Sequence, residues 1–87
     1  MNKKLAWTDE AWKDYMYWQT QDRKTLKRIN KLLDDTRRND PFKGIGKPEP
    51  LKDNLNGFWS RRIDDTNRLV YAVDPEYITI ISCRYHY

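Results

Sequence analysis

Cysteine and histidine are almost absent from this chain, which contains one of each among 87 residues. A single cysteine, Cys83, cannot form an internal disulfide, so the sequence excludes a disulfide-stapled secreted scaffold and favours a reducing cytoplasm. One cysteine and one histidine also fall short of the three or four nitrogen and sulfur ligands of a zinc site. We therefore predict a cytoplasmic protein that has no metal site and needs no cofactor.

Long apolar runs are missing as well. No stretch approaches the roughly 18 apolar residues that cross a bilayer. The first residues turn acidic at Asp9, where a signal peptide would carry its apolar run. We expect no membrane association.

Aromatic and cationic residues are plentiful. Aromatic residues make up 14% of the chain, which is too rich for a disordered tail. The length allows one domain, residues 1–87. Lysine and arginine exceed the acidic residues by four, giving a formal net charge of +4. This excess suggests a polyanionic partner, either nucleic acid or an acidic protein.

The first half of the sequence predicts a short strand and two helices. The strand covers residues 4–7, and Thr8 is a suitable N-cap for a helix over residues 9–21. Helical spacing there relates Ala11, Trp12, Tyr15, Met16 and Gln19, and Trp18 adds to the edge formed by Ala11 and Tyr15, so we predict an amphipathic helix. A second helix runs from about Arg23 to Arg37. It carries a basic stripe formed by Lys24, Lys27, Arg28, Lys31 and Arg38.

The second half predicts a loop and a sheet. Residues 39–56 are rich in proline and glycine, which exclude a regular helix or a central strand. Three segments rich in β-branched and aromatic residues follow, at 58–63, 68–73 and 77–85. The predicted fold is α+β, with an N-terminal helix hairpin packed on one face of an antiparallel sheet.

Two residues are candidates for acid–base chemistry. Glu49 lies between Pro48 and Pro50, which restrict the backbone around it. The alternative for Glu49 is an ordinary solvated acid in a loop. His86 is the only imidazole, the one unmodified side chain that titrates near neutrality. Its alternative is a terminal histidine without a task.

Four arginines lie in the otherwise apolar strand segments: Arg61, Arg62, Arg68 and Arg84. Two or three guanidiniums on one sheet face would form a phosphate site. The pairing register decides whether Arg61 or Arg62 shares a face with Arg68, and the sequence leaves both registers open. For any single arginine, a solvated ion pair is the alternative.

A carboxylate, an imidazole and several guanidiniums together suggest RNA cleavage. RNA carries its own nucleophile, the 2′-OH, so a base, an acid and cations suffice without a metal. The pairs Asp34–Asp35 and Asp64–Asp65 could be offered as metal ligands, but they fit a helix end and a turn better. RNA binding without catalysis is the alternative.

Two motifs carry a resemblance to a known family. Residues 43–52 read Lys-Gly-Ile-Gly-Lys-Pro-Glu-Pro-Leu-Lys, and residues 84–87 read Arg-Tyr-His-Tyr. Together they resemble the Txe/YoeB family of the RelE/ParE superfamily, toxins of bacterial type II toxin–antitoxin systems. The chain departs from the family pattern at Asp53, where a histidine is common, and in the loop before Pro41, which is one residue longer. The resemblance implies a RelE-like, microbial-RNase-like sheet.

The resemblance also implies residue roles. Glu49 would be the general base, His86 the general acid and Arg68 the residue that stabilises the scissile phosphate, with Tyr87 completing the site. The residues that would support or bind the RNA are Lys43, Lys47, Lys52 and Arg62.

The implied activity is that of a ribosome-dependent mRNA interferase. It would cut the A-site codon, leave 2′,3′-cyclic phosphate and 5′-hydroxyl ends, and inhibit translation. A YefM/Phd-type antitoxin would neutralise it, and operator DNA would be bound only by the complex. A homodimer is compatible with the resemblance, and rings such as Trp7 or Trp18 could contribute to it. The alternatives are a ParE-like gyrase inhibitor, which would leave Glu49 and His86 without a task, and a non-catalytic RNA- or ribosome-binding module.

Overall fold

The computed structural model describes residues 2–85, and Met1, His86 and Tyr87 lie outside the described residues. The elements follow one another as strand β1 (Lys4–Trp7), helices α1 (Asp9–Gln21) and α2 (Arg23–Arg38), and strands β2 (Glu49–Pro50), β3 (Trp59–Arg62), β4 (Arg68–Val73) and β5 (Tyr77–Ser82). A 3₁₀ turn covers Asp53–Leu55 between β2 and β3. The predicted α+β class is confirmed.

Side-chain caps set the helix boundaries. The hydroxyl of Thr8 accepts a hydrogen bond from the N–H of Ala11 at 3.0 Å, which starts α1. The carboxylate of Asp22 accepts the N–H groups of Lys24 and Thr25, so it ends one helix and begins the next. Because one residue joins the helices, they form the predicted hairpin.

The five strands form one sheet in the order β1-β5-β4-β3-β2. Strands β2 to β5 pair antiparallel, as predicted. Strand β1 differs, because it runs parallel to β5 at the sheet edge. The two helices between β1 and the rest of the sheet return the chain in the direction that a parallel pair requires.

Both helices cover the same sheet face, which we call the helix face. Its core contains Ile29, Leu32 and Leu33 from α2 against Leu69 and Ile80 of the sheet. No helix within residues 2–85 is long and apolar enough to cross a membrane.

The buried side of α1 includes the predicted Ala11 and Trp18 but not the predicted Trp12 and Met16. Its buried residues are Ala11, Asp14 and Trp18. Trp12 and Met16 are 50% and 48% exposed. Trp12 packs on Trp7 at the sheet edge, with ring centroids 5.6 Å apart, instead of entering the core. Because Trp18 is buried, its ring is not available to a second copy of the chain.

The single thiol, Cys83, is fully buried beside α1. Burial, together with the nearby charge of Asp14, raises its pKa to about 12. At pH 8 we therefore expect only about one thiol in ten thousand to be ionised. The native protein should resist a thiol-specific disulfide reagent and react fully in denaturant. Fast modification of the folded protein, measured by absorbance, would contradict this burial.

Candidate active site

The strand register places three of the predicted site residues on one face of the sheet. Glu49 pairs with Ser60, and Arg62 pairs with Arg68. Paired residues project to the same face, as do residues two apart along a strand. Glu49, Arg62 and Arg68 therefore share the face opposite the helices, which we call the open face.

The same register removes Arg61 from this face. Arg61 pairs with Leu69 and lies fully buried on the helix face. Its guanidinium forms an ion pair with Asp35 at 2.6 Å and donates to the hydroxyl of Tyr71 at 3.1 Å. The backbone carbonyls of Asp40, Lys43 and Ile45 also accept hydrogen bonds from it. Arg61 fastens the long loop to the core, so it has no donor to spare for a phosphate, and Arg62 is the partner of Arg68.

Arg68 is nearly buried, with 7% of its surface exposed. Its Nη1 donates to the carbonyls of Asp64 at 2.5 Å and Asn67 at 3.0 Å. These bonds fix the guanidinium against the β3–β4 turn. Both of these bonds use Nη1, and a guanidinium also carries N–H donors on Nε and Nη2.

Glu49 lies on the exposed edge strand β2. The ladder continues past it, because the N–H of Leu51 donates to the carbonyl of Phe58 at 2.9 Å. On its other side, the N–H of Arg62 donates to the carbonyl of Gly46 at 2.7 Å. These bonds anchor the Lys-Pro-Glu-Pro segment at both ends. Residues 49–55 line an open cavity of about 410 Å³, so Glu49 and Lys52 border the same space.

The two other predicted lysines lie in the preceding loop and are exposed. Lys47 adopts a left-handed backbone with φ of 50° directly before Pro48. The carbonyl of Lys43 accepts from Arg61 at 2.9 Å, on the helix-face side of the loop. Glu49 thus shares a cavity lining with Lys52 and a sheet face with Arg62 and Arg68, and no such relation links it to Lys43 within residues 2–85.

The described chain ends beside Arg68. The backbone N–H of Arg68 donates to the carbonyl of Tyr85 at 3.1 Å. The predicted acid His86 and the predicted site residue Tyr87 lie outside the described residues, so their roles stay predictions. The residue before them is nevertheless fixed at the start of β4, two strands from Glu49.

The acidic pairs have structural partners. Asp35 binds Arg61, and Asp64 accepts the N–H groups of Thr66 and Asn67 at 2.8 and 2.7 Å. Burial raises the pKa of Asp64, but the hydrogen bonds from Asn67 and Thr66 and the charge of Arg68 outweigh it, so the net pKa lies below its usual value. Within residues 2–85, no three histidine, cysteine or acidic side chains cluster as metal ligands would.

Two polar residues that bind the backbone of residues 83–85 were not predicted from the sequence. Asp14 is buried and accepts the N–H of Cys83 at 3.0 Å. Burial raises its pKa, and the Cys83 N–H lowers it by less. The side-chain oxygen of Asn67 accepts the N–H of Tyr85 at 2.7 Å. Asp14 recurs with Ala11 and Trp18 at helical spacing, which is the signal that could have placed it on the buried side of α1.

Comparison with known proteins bears out the resemblance. A family model described as a YoeB-like toxin of a bacterial type II toxin–antitoxin system matches residues 7–87. The protein is similar to toxin YoeB of Escherichia coli strain K12, with 60% identity over 84 residues that cover 97% of this chain and 99% of the relative.

Solved structures agree with the sequence relatives. The YoeB dimer from Staphylococcus aureus superposes with a TM-score of 0.91 at 48% identity, covering 100% of both chains. The YoeB–YefM complex from the same organism contains a chain with a TM-score of 0.89 at 47% identity, again over 100% of both chains. With the fold, the family motifs and nearly full-length relatives in agreement, the chain belongs to the YoeB-like toxins of bacterial type II toxin–antitoxin systems.

Proposed function

We propose that this toxin is a metal-independent endoribonuclease that cleaves mRNA in the ribosomal A site and thereby inhibits translation. The observation that carries the proposal is the register of β2, β3 and β4. It gives the carboxylate of Glu49 and the guanidiniums of Arg62 and Arg68 a common sheet face. When a 2′-OH attacks the adjacent phosphate, a base must take its proton and cations must stabilise the negative charge that develops. One carboxylate and two guanidiniums can perform these two tasks.

One proton leaves the attacking 2′-oxygen, and one proton is added to the departing 5′-oxygen. Glu49 takes the proton of the 2′-OH, and the 2′-oxygen forms a bond to phosphorus. The bond from phosphorus to the 5′-oxygen breaks, and His86 donates a proton to that oxygen. The products are a 2′,3′-cyclic phosphate and a 5′-hydroxyl. No metal is needed to generate the nucleophile, because the substrate carries it.

The cations stabilise the charge that builds up on the phosphoryl oxygens. Arg68 is the main donor, since the turn carbonyls already hold its guanidinium in one orientation. Strands lie about 4.8 Å apart, and Arg68 on β4 is offset by two residues, about 7 Å, from the position opposite Glu49 on β2. The two backbones are therefore separated by roughly 12 Å, which leaves room for one phosphate between their side chains. Tyr87 completes the site. The remaining RNA contacts come from Lys43, Lys47, Lys52 and Arg62.

Dependence on the ribosome follows from the size of these effects. An acid and a base each contribute about 10²–10⁴-fold, and in-line alignment contributes several kcal/mol more. A domain of 87 residues has little surface with which to align a flexible RNA strand. We assign the alignment to the ribosome, with the basic stripe of α2 against ribosomal RNA.

The partners follow from the relatives and from charge. The S. aureus relative is described both as a dimer and in a complex with YefM. We assign this toxin a YefM/Phd-type antitoxin, whose acidic segment folds on the basic domain and with which it binds operator DNA. A homodimer would use the rings of Trp7 and Trp12 at the sheet edge. We assign the protein to the cytoplasm, where these proposed partners would be found.

Primer extension on an mRNA under translation tests this proposal. Wild-type toxin should give cuts inside the A-site codon, with a 5′-hydroxyl that must be phosphorylated before ligation. The same mRNA without ribosomes should be cut at least about tenfold more slowly, because alignment is then missing. The Glu49→Gln variant is the inactive comparison, and Glu76→Gln is the matched control at an exposed turn.

The outcomes separate the proposal from its alternatives. Equal cleavage of naked mRNA would overturn ribosome dependence. A translation block without any cut would indicate a non-catalytic ribosome-binding module. Inhibition of DNA gyrase, with translation unaffected, would indicate a ParE-like toxin.

A further inference from the structure

The segment after β5, residues 83–85, is held by an unusual number of polar contacts. The N–H of Cys83 donates to the carboxylate of Asp14 at 3.0 Å, and the indole N–H of Trp18 donates to the carbonyl of Cys83 at 2.9 Å. Asp14 and Trp18 lie one helical turn apart on α1, and each is 8% exposed. Helix α1 therefore grips both backbone groups of Cys83.

The next two residues are held by helix α1 and by the start of β4. The guanidinium carbon of Arg84 lies 3.5 Å from the ring centroid of Tyr17 and 4.4 Å from that of Tyr85. The N–H of Tyr85 donates to Asn67 at 2.7 Å, and its carbonyl accepts from the N–H of Arg68 at 3.1 Å. We call these contacts, made by Asp14, Trp18, Asn67 and the Arg68 backbone, the terminal clamp.

The clamp holds Tyr85 in a conformation that such a residue seldom adopts. Its φ is 66°, in the left-handed region that favours glycine. Strained conformations of this kind persist only where the surroundings over-determine them, and they concentrate at functional sites. Here both backbone groups of Tyr85 are hydrogen-bonded, so the clamp holds this residue in its left-handed conformation.

The choice of residues also argues for a role beyond stability. A buried carboxylate loses its hydration, and an apolar residue at that helix position would leave the buried N–H of Cys83 without an acceptor. Asp14 and Trp18 match the donor and acceptor of one backbone residue, 69 and 65 positions away along the chain. Such matching specifies a chain path.

We propose that Asp14, Trp18 and Asn67 are positioning residues for catalysis, which fix residues 83–85 and thereby the reach of the acid that follows them. The inference rests on the proposed role of His86. The clamp residues need not touch the RNA. They act by limiting the conformations from which a proton can be delivered. Displacing a catalytic group by about 1 Å can lower the rate up to a hundredfold.

Two substitutions remove single clamp contacts. Trp18→Phe keeps an aromatic side chain but loses the indole N–H that donates to the Cys83 carbonyl. Asp14→Ala loses the carboxylate that accepts the Cys83 N–H. Asp14→Asn keeps an acceptor oxygen in place and should rescue. Ile29→Val changes a core residue that makes none of the clamp contacts, so it is the control for lost stability alone.

Three quantities are measured. They are the single-turnover cleavage rate at saturating mRNA-programmed ribosomes, the ribosome concentration that gives half of this rate, and the hydrogen-exchange rates of the Cys83 and Tyr85 amides. We expect Trp18→Phe and Asp14→Ala to cut the maximal rate about tenfold while the half-saturating concentration changes less than about twofold. Exchange at both amides should accelerate. Asp14→Asn and Ile29→Val should keep the wild-type maximal rate.

A double variant separates this inference from the proposed function. If the clamp acts through His86, adding Trp18→Phe to His86→Gln should cause no further loss. An unchanged maximal rate in both folded clamp variants would contradict the positioning role. A full further tenfold loss in the double variant would contradict it as well. Wild-type cleavage by His86→Gln would instead overturn the acid assignment, whatever the clamp variants do.

Discussion

The Glu49→Gln variant should cleave A-site mRNA at least tenfold to a hundredfold more slowly than wild type, on the order expected when one acid–base residue is removed. The substitution keeps the size of the side chain and removes its ability to take the 2′-OH proton. Glu49 lies on an exposed edge strand, so the core packing stays intact. His86→Gln should show a loss of the same order, because the departing 5′-oxygen then lacks its proton donor.

Several controls keep this prediction specific. Circular dichroism and antitoxin binding should report a folded protein for each variant. Glu76→Gln removes a carboxylate from the β4–β5 turn and should cleave like wild type. Wild-type rates in folded Glu49→Gln and His86→Gln would refute the assignment of base and acid.

Replacing Arg61 with leucine should destabilise the protein by about 3–5 kcal/mol, the usual cost of breaking a buried ion pair from one side. The change leaves the carboxylate of Asp35 without its ion-pair partner and removes the donors that bind the loop carbonyls. Gly44 lies so close to Asp35 that an added Cβ would collide with its carboxylate oxygen. The loop that leads to Glu49 is therefore built around this one guanidinium.

Urea denaturation measures the effect. Arg62→Leu is a matched control, since the neighbouring arginine is exposed on the open face and should change the free energy of unfolding by only about 0.5 kcal/mol. If the two variants unfold within about 1 kcal/mol of each other, Arg61 is not the fastener that its contacts indicate.

The Arg61–Asp35 pair should also depend on acid. Burial raises the pKa of Asp35, but hydrogen bonds from Asn39, Arg61 and the N–H of Ile45 outweigh it, so the folded pKa lies below the usual value. A depressed folded pKa contributes stability that is present above the unfolded value of about 3.9 and is lost as pH falls through the folded value. The stability difference between wild type and Asp35→Asn should therefore shrink below about pH 4.

Local patterns predicted most of the elements. The cap at Thr8 lies where predicted, and the three β-rich segments appear in the structure within three residues of their predicted bounds. The parallel pairing of β1 was not predicted, because nothing within a four-residue strand specifies a partner more than 70 positions away. The outward position of Trp12 was missed for a similar reason. A ring at helical spacing fits either the core or an aromatic cluster at the edge.

The sequence alone determined the chemistry on offer: one carboxylate in a proline-restricted segment, one imidazole, and arginines in apolar strands within a basic domain. Only the tertiary structure decided which arginine serves the open face, because a one-residue change of register sends every side chain of a strand to the other face. It also decided that Arg61 and Asp14 are buried. The groups that satisfy them, loop carbonyls and the N–H of Cys83, meet these side chains only when the chain is folded.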